Sequence, residues 1–157
     1  MTTFERTVDM ALVREILTEK SCWRRMTDDL APAIDDFNPE PRADLEYIVA
    51  RDAGRPVALF LLLHIPQAIE VHFCFLPRVW GSTAAIARAF LAWVWAETAY
   101  TWLIGPVPEN NRLCLKLAKA AGFEEFCREK GAVRKNGKTY DRILMSITRP
   151  NDQITTA

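Results

Sequence analysis

The sequence predicts one α/β domain in which helices flank a mixed β-sheet. Its 157 residues are 50% hydrophobic and 25% charged, proportions that are typical of a single folded domain. Three apolar runs in the first half are joined by short turns, which indicates antiparallel strands. In the second half a helical pattern separates two strands, which indicates a parallel crossover. We therefore expect a sheet that is antiparallel at first and parallel later.

A strand and two helices are predicted in the first 42 residues. Thr3 to Val8 is predicted as a short strand, and Asp9 is placed to cap the helix that follows. A second helical pattern runs from Trp23 to Phe37, but Pro32 lies inside it and should end or kink the helix. The proline-rich stretch from Asn38 to Arg42 is then expected to be a loop.

A three-stranded meander is predicted next. Its strands are Leu45 to Arg51, Val57 to His64 and Ala68 to Leu76. The turns around Gly54 and Pro66 are short, so neighbouring strands should run antiparallel.

The period of the apolar residues changes after this meander. Ala84 to Thr98 is apolar on most sides and is predicted as a mostly buried helix. A strand from Thr101 to Gly105 follows. Asn110 or Asn111 then caps a helix that ends before Gly122.

Two strands, Phe123 to Arg128 and Thr139 to Thr148, complete the predicted sheet. The dipeptide Asn136-Gly137 between them is typical of a hairpin turn. The order β-α-α-β-β-β-α-β-α-β-β gives about seven strands and about four helices. We expect residues 1–149 to form this single domain and the polar residues 150–157 to be a frayed C-terminal tail.

The charge balance argues against nucleic acid and membranes as partners. The 20 basic residues offset the 20 acidic ones, so long-range attraction to phosphate backbones or anionic lipid is missing. The longest apolar run, Val57 to Leu63, is too short to cross a bilayer. Glu5 and Arg6 lie where an export signal needs apolar residues, so we expect no export.

The cysteines and histidines do not form a metal-binding pattern. Four cysteines lie far apart without a CxxC pair, and the chain has only two histidines, so no structural metal is expected. Dispersed cysteines without an export signal indicate buried thiols in a reducing, cytoplasmic compartment. The cysteines are Cys22, Cys74, Cys114 and Cys127.

The last strand-helix unit carries the clearest motif. It has an Asn, a small residue three positions on, a Leu six positions on and a Gly-Phe pair that ends the helix. These are Asn111, Cys114, Leu117, Gly122 and Phe123. With the crossover before it, the unit resembles the GCN5-related N-acetyltransferase (GNAT) family. The resemblance implies a mixed-sheet fold and acetyl-CoA as co-substrate. An Asn at this junction can cap the helix and bind the pantetheine amides.

The pyrophosphate loop of the family, Arg/Gln-x-x-Gly-x-Gly/Ala, has two alternative matches. One begins at Arg78 and retains the Arg and the first Gly in a shorter loop. The other runs from Trp80 to Ala85 and retains the loop length. We favour the second, because loop length sets where the helix begins. The Ser and Thr hydroxyls would then cap the helix or meet a phosphate. The implied coenzyme contacts are Gly81, Ser82, Thr83, Ala84 and Ala85.

The predicted fourth strand carries the candidate catalytic residues. The segment resembles the strand of the histone acetyltransferase branch in which a Glu is the general base. Glu70, His72 and Cys74 share one face of this strand. We expect Glu70 to be the base, with a pKa raised by apolar surroundings, and His72 to be its rival, because histidine titrates near neutral pH. The resemblance further implies that Phe73, Cys74 and Phe75 contact the coenzyme, with a backbone amide near Phe75 on the oxyanion.

The leading expectation is an acetyl-CoA-dependent N-acetyltransferase that acts directly on a small-molecule or protein amine. The sequence also resembles short family members from phages and prophages. The alternative is a GNAT-fold module that binds acyl-CoA or a protein without catalysis. Ala118 favours it, because many family members have a proton-donating Tyr there; Cys114 and Tyr140 are the substitutes considered. Trp93 and Trp95 suit the core or a contact between copies, so a homodimer is one expected partner.

Overall fold

A seven-stranded mixed sheet is the centre of the structure, a computed structural model that describes residues 1–151. The strands are β1 (Thr2–Thr7), β2 (Leu45–Asp52), β3 (Arg55–Ile65), β4 (Ala68–Phe75), β5 (Trp102–Pro108), β6 (Glu124–Lys135) and β7 (Lys138–Thr148). The helices are α1 (Met10–Leu17), α2 (Lys20–Met26), α3 (Thr83–Glu97) and α4 (Arg112–Ala121). Short 3-10 helices cover Ile34–Asp36 and Pro77–Ser82.

The sheet has the predicted mixture of directions. Its strand order is β1-β2-β3-β4-β5-β7-β6, and β4 and β5 are parallel while the other pairs are antiparallel. The prediction of seven strands, four helices and a late parallel crossover is confirmed. Within residues 1–151, no helix is both long and apolar enough to cross a membrane. The predicted tail at 150–157 falls mostly on residues 152–157, which lie outside the described residues.

The second helix is shorter than predicted. It ends at Met26, and Thr27 is already extended, with its hydroxyl bonded back to a helix carbonyl at 2.6 Å. The Asp28 carboxylate then accepts the Leu30 N–H at 2.9 Å, and such local bonds compete with helix formation. The helix therefore ends before it reaches Pro32, the residue that was expected to end or kink it.

The strand β6 is longer than predicted: it ends at Lys135, whereas the predicted strand ends at Arg128. It is the edge strand of the sheet and pairs only with β7. All its residues from Glu124 to Ala132 are exposed, so the apolar alternation by which a strand is recognised is missing there.

The two faces of the sheet are covered by different helices. On one face lie α3 and α4, and Phe60 of β3 stacks on Phe90 of α3 with ring centroids 3.8 Å apart. On the other face lie α1 and α2, where Cys22 packs in the same apolar cluster as Cys74 of β4. Because side chains alternate along a strand, the even-numbered residues of β4 face α1 and α2.

The parallel strands β4 and β5 pair at only two positions. Ile69 lies opposite Leu103, and Glu70 lies opposite Ile104. Beyond these positions β4 remains paired with β3 and β5 remains paired with β7. The sheet therefore opens between its two central strands.

Two prolines in β5 explain why the strands separate. The N–H of Glu109 donates to the Asp141 carbonyl in β7. The carbonyl of Thr101 accepts the N–H of Arg149, the residue just after β7. The N–H and C=O positions of successive residues point to alternate sides of a strand. Since the odd-numbered residues of β5 face β7, the backbone positions of Pro106 and Pro108 face β4. Proline has no N–H, so β5 lacks the donors that would continue the ladder.

Candidate active site

The separation of β4 and β5 opens a cleft of about 890 Å³. Residues 70–75 of β4 and 105–108 of β5 form its sides. The end of α2, the start of α3, α4 and the β6–β7 hairpin complete the lining. A volume of this size is typical of a site for a small molecule.

The backbone of β4 presents unpaired polar groups to this cleft. Leu76, just after the strand, donates its N–H to a β3 carbonyl at 2.9 Å. The even-numbered residues therefore pair with β3, and Phe73 and Phe75 turn their N–H groups into the cleft. The Phe75 carbonyl is occupied, because the Trp80 indole N–H donates to it at 3.3 Å. Two strand donors are thus left for a ligand.

Glu70 and His72 are hydrogen-bonded where the strands separate. His72 Nε2 lies 2.6 Å from Glu70 Oε1, and the two side chains remain 36% and 27% exposed. An ionised carboxylate can only accept, so Nε2 donates, and Nδ1 carries the lone pair of the neutral ring. This lone pair is the free proton acceptor of the pair.

The surroundings hold the pKa of Glu70 below its usual value of 4.5. The hydrogen bond from His72 lowers this pKa most, burial acts in the opposite direction, and the charge of Arg142 lowers it further. The expectation of a raised pKa is therefore wrong. It was based on the apolar neighbours of the strand and did not include the partner two residues along.

The helix α4 is capped as predicted at both ends. Asn111 Oδ1 accepts the Cys114 N–H at 3.2 Å, and Gly122 ends the helix with a φ of +102°. Asn111, Cys114 and Ala118 all line the cleft. Burial raises the pKa of the Cys114 thiol to about 12, so this thiol stays protonated near neutral pH. Tyr140, the other substitute considered for the family's Tyr, is absent from the cleft lining within the described chain.

The connection from β4 to α3 differs from the prediction. The chain passes through the 3-10 helix Pro77–Ser82, and Ser82 precedes α3 without a side-chain cap. The predicted hydroxyl cap is therefore wrong, and the first N–H groups of α3 lack this partner. Thr83 and Ala84 line the cleft. The Arg25 guanidinium lies over the Trp80 ring, 4.7 Å from its centroid, and both residues line the cleft as well.

Hydrogen bonds join the tip of the β6–β7 hairpin to the segment that follows α2. Asp29 accepts the N–H groups of Asn136 and Gly137 at 2.7 and 3.0 Å. These hydrogen bonds hold the pKa of Asp29 below its usual value. Lys135 Nζ donates to the Arg24 carbonyl nearby. These two segments, the end of α2, Arg142 of β7 and the β4 face that carries Glu70 and His72 line one side of the cleft, which we call the α2 side.

All four cysteines are free thiols, but their exposure differs. Cys22 and Cys74 are buried in the cleft wall, and the neighbouring Cys22 thiol together with burial raises the pKa of Cys74 well above its usual value. Cys127 is exposed, so the expectation of buried thiols is wrong for that position. Among residues 1–151, no group of three or more His, Cys, Asp or Glu side chains is placed to hold a metal ion.

No protein-family model and no curated protein matches the sequence, but solved structures match the fold. A spermidine N-acetyltransferase from Vibrio cholerae in complex with CoA and spermine has a TM-score of 0.75 over 94% of this chain and 95% of that chain, at 15% identity. An N-acetyltransferase from Staphylococcus aureus Mu50 has a TM-score of 0.69 over 94% and 97%, at 13% identity. The chain has the GNAT fold. A third GNAT-fold structure, a V. cholerae spermidine/spermine N-acetyltransferase in complex with manganese ions, has a TM-score of 0.70 over 94% and 92%, at 14% identity.

The structure brings most of the predicted GNAT site residues together. Gly81, Ser82 and Ala85 do not line the cleft. Those that line it are Glu70, His72, Phe73, Cys74, Phe75, Thr83, Ala84 and Asn111.

The charged side chains on the α2 side of the cleft were not predicted as site residues. They come from α2, the hairpin tip and β7, which are distant in sequence, so no single stretch of the sequence indicates that they meet. These residues are Arg24, Arg25, Lys135 and Arg142.

Proposed function

We propose that the protein is an acetyl-CoA-dependent N-acetyltransferase that transfers an acetyl group directly to an amine. The observation that carries the proposal is the cleft between β4 and β5. It joins unpaired strand N–H groups, a helix start without a side-chain cap and an ionised carboxylate–imidazole pair in one space. The V. cholerae enzyme with the same fold is in complex with CoA and spermine, which supports CoA as co-substrate and a small-molecule amine as acceptor.

The cleft residues fit acetyl-CoA, which would supply the activated acetyl thioester. The N–H groups of Phe73 and Phe75 are donors without a strand partner; that of Phe73 suits an amide carbonyl of the pantetheine arm, and that of Phe75 is left for the reacting thioester. The Asn111 amide reaches the same arm from α4. The N–H groups at Thr83 and Ala84 suit the pyrophosphate, because a helix N-terminus favours an anion.

We propose that His72 is the general base that takes the proton from the amine. A carboxylate whose pKa is lowered is a weak base, so Glu70 is poorly suited to take this proton itself. Glu70 instead holds His72 by its Nε2–H, leaves Nδ1 as acceptor and stabilises the imidazolium that forms. In the overall exchange a C–N bond forms, the thioester C–S bond breaks, and the amine proton leaves through His72 to solvent or to the thiolate. The Phe75 N–H is the proposed oxyanion donor.

The second candidate is a GNAT-fold module that binds an acyl-CoA without catalysis. Ala118 supports it, because it brings no hydroxyl to the cleft. The thiol of Cys114, with a pKa of about 12, is a weak replacement acid. On this alternative the cleft binds the coenzyme and no amine is acetylated.

Calorimetric titration with acetyl-CoA, followed by an assay for released CoA thiol over a panel of amines, distinguishes the candidates. We expect saturable binding and turnover with at least one amine. His72→Ala and Glu70→Gln should each lower kcat by about 10²–10⁴-fold, the usual range for loss of general base catalysis, with little change in coenzyme affinity.

The matched control is His64→Ala, because His64 is the only other histidine in the sequence. It lies on β3 away from the cleft and contacts Glu46 at 3.0 Å. This variant should retain full turnover. Binding without turnover on any amine favours the module, and no binding at millimolar acetyl-CoA contradicts both candidates.

A further inference from the structure

The α2 side of the cleft carries more positive than negative charge. In the described part of the chain, its only carboxylates are Asp28 and Glu70. Its cations are Arg24 and Arg25 at the end of α2, Lys135 at the hairpin tip and Arg142 in β7. A site lined in this way favours a ligand that brings negative charge of its own.

Most of these cations have no carboxylate partner. Arg142 donates to Glu129 at 3.1 Å. Within residues 1–151, no carboxylate lies within 4.0 Å of the charged groups of Arg24, Arg25 or Lys135. Lys135 donates to a backbone carbonyl, that of Arg24.

Two of the cations belong to the acceptor side of the cleft. The guanidinium of Arg25 lies over Trp80 in the β4–α3 connection, so we place it on the coenzyme side. Lys135 at the hairpin tip donates to the backbone carbonyl of Arg24, so these two residues are neighbours. The same hairpin contains Arg142 in β7, whose charge lowers the pKa of Glu70, so we place Arg24 and Lys135 on the acceptor side.

The surroundings of Lys135 leave its charge only partly compensated. Burial lowers the pKa of Lys135 most, the positive charge of Arg24 lowers it further, and Asp28 and Asp29 act in the opposite direction. An anion bound between the two cations would relieve this unfavourable charge.

On the basis of the proposed acetyltransferase function, we propose that the acceptor is an amine that also carries a carboxylate, as an amino acid does. Arg24 and Lys135 bind the carboxylate, and the amine is directed to Glu70 and His72. A guanidinium suits a carboxylate because it donates two parallel hydrogen bonds. A polyamine, which is only positively charged, would meet like charges along this wall.

Matched amines that differ only by a carboxylate test this inference directly. The pairs are lysine and cadaverine, ornithine and putrescine, and tyrosine and tyramine, with spermidine as a polyamine reference. We expect kcat/KM to be at least tenfold higher for the carboxylate member of at least one pair. With CoA present, that member should also raise the melting temperature, while its partner should not.

Two charge variants locate the carboxylate site. Arg24→Gln and Lys135→Gln should each reduce the preference within that pair by about tenfold, mainly through the KM of the carboxylate member. Arg134→Gln is the matched control, because Arg134 is adjacent in sequence but does not line the cleft. It should leave the preference unchanged.

The outcomes separate this inference from the proposed function. Turnover of the carboxylate-free amine that equals or exceeds that of its partner in all three pairs overturns the carboxylate inference but leaves the acetyltransferase proposal in place. Acetyl-CoA binding with neither turnover nor a thermal shift from any carboxylate amine also overturns it. A preference that survives both charge variants overturns the assignment to Arg24 and Lys135. Failure of acetyl-CoA to bind contradicts the proposed function itself.

Discussion

Asn111 is expected to have two roles that one substitution series can separate. Its Oδ1 caps α4 through the Cys114 N–H at 3.2 Å. No residue in the described chain accepts a hydrogen bond from its NH2 group, and the residue lines the cleft. Asn111→Ala removes both groups. Asn111→Asp retains the cap acceptor, removes the two donors and adds a negative charge.

The expected sizes follow from these contacts. Loss of an N-cap costs about 1 kcal/mol, which lowers the melting temperature of a chain of this length by roughly 2–4 °C. Asn111→Asp should melt at or above the wild-type temperature, because a negative charge is favourable at a helix N-terminus. Loss of one neutral hydrogen bond to the coenzyme weakens binding by about 0.5–1.5 kcal/mol, or roughly 2–13-fold in Kd.

Thermal melts without ligand measure the cap, and calorimetric titration with acetyl-CoA measures the ligand contact. We expect Asn111→Ala to lose both stability and affinity and Asn111→Asp to lose affinity alone. If Asn111→Asp melts as low as the alanine variant, the cap is assigned to the wrong atom. If both variants bind acetyl-CoA like the wild type, Asn111 does not contact the coenzyme.

Three other properties can be checked on the purified protein. The pKa of Glu70 is lower in the folded chain than in the unfolded chain, so its contribution to stability is present above about pH 4.5 and is lost as the pH falls through the lower folded value. Glu70→Gln should flatten that acid limb in melts recorded from pH 3 to 6, and an unchanged limb would contradict the hydrogen bond. Gly122→Ala places a Cβ on a backbone with a φ of +102° and within 3.3 Å of a side-chain carbon. We expect the free energy of unfolding, measured by urea titration, to fall by about 1–2 kcal/mol. An unchanged free energy of unfolding would argue against the left-handed helix end. Exposed Cys127 should be alkylated first at pH 8, well before Cys114, whose pKa is about 12, and Cys74, whose pKa is raised well above its usual value. Peptide mass spectrometry that finds Cys74 labelled first would refute this order.

Local signals predicted α4 well, whereas other parts depended on distant contacts. The capping Asn111 and the terminal Gly122 act within a few residues of their own helix, so the sequence alone could place both ends. The edge strand β6 has no buried side chain from Glu124 to Ala132, so this stretch is recognised only by its pairing with β7. The contact of Lys135 with Arg24 joins residues 111 positions apart, and no periodicity within either segment predicts it.

The electrostatics of Glu70 were mispredicted for a related reason. The sequence correctly placed Glu70 and His72 on one strand face, but their effect on each other depends on whether the two side chains meet. At 2.6 Å the hydrogen bond outweighs the burial that would raise the pKa of Glu70. The same contact changes the proposed chemistry, because it converts the expected base into the group that orients the base.

The alternation of β4 explains how one strand can serve both halves of the proposed reaction. Its odd-numbered backbone groups face β5, and the prolines of β5 leave them without partners, so Phe73 and Phe75 can bind a coenzyme. Its even-numbered side chains face α2, so in the proposed reaction Glu70 and His72 meet the acceptor from the other side of the sheet. A shift of one residue in the pairing with β3 would exchange these roles. The antiparallel β3–β4 register, rather than any single catalytic residue, therefore places the reacting groups on opposite sides of the opening.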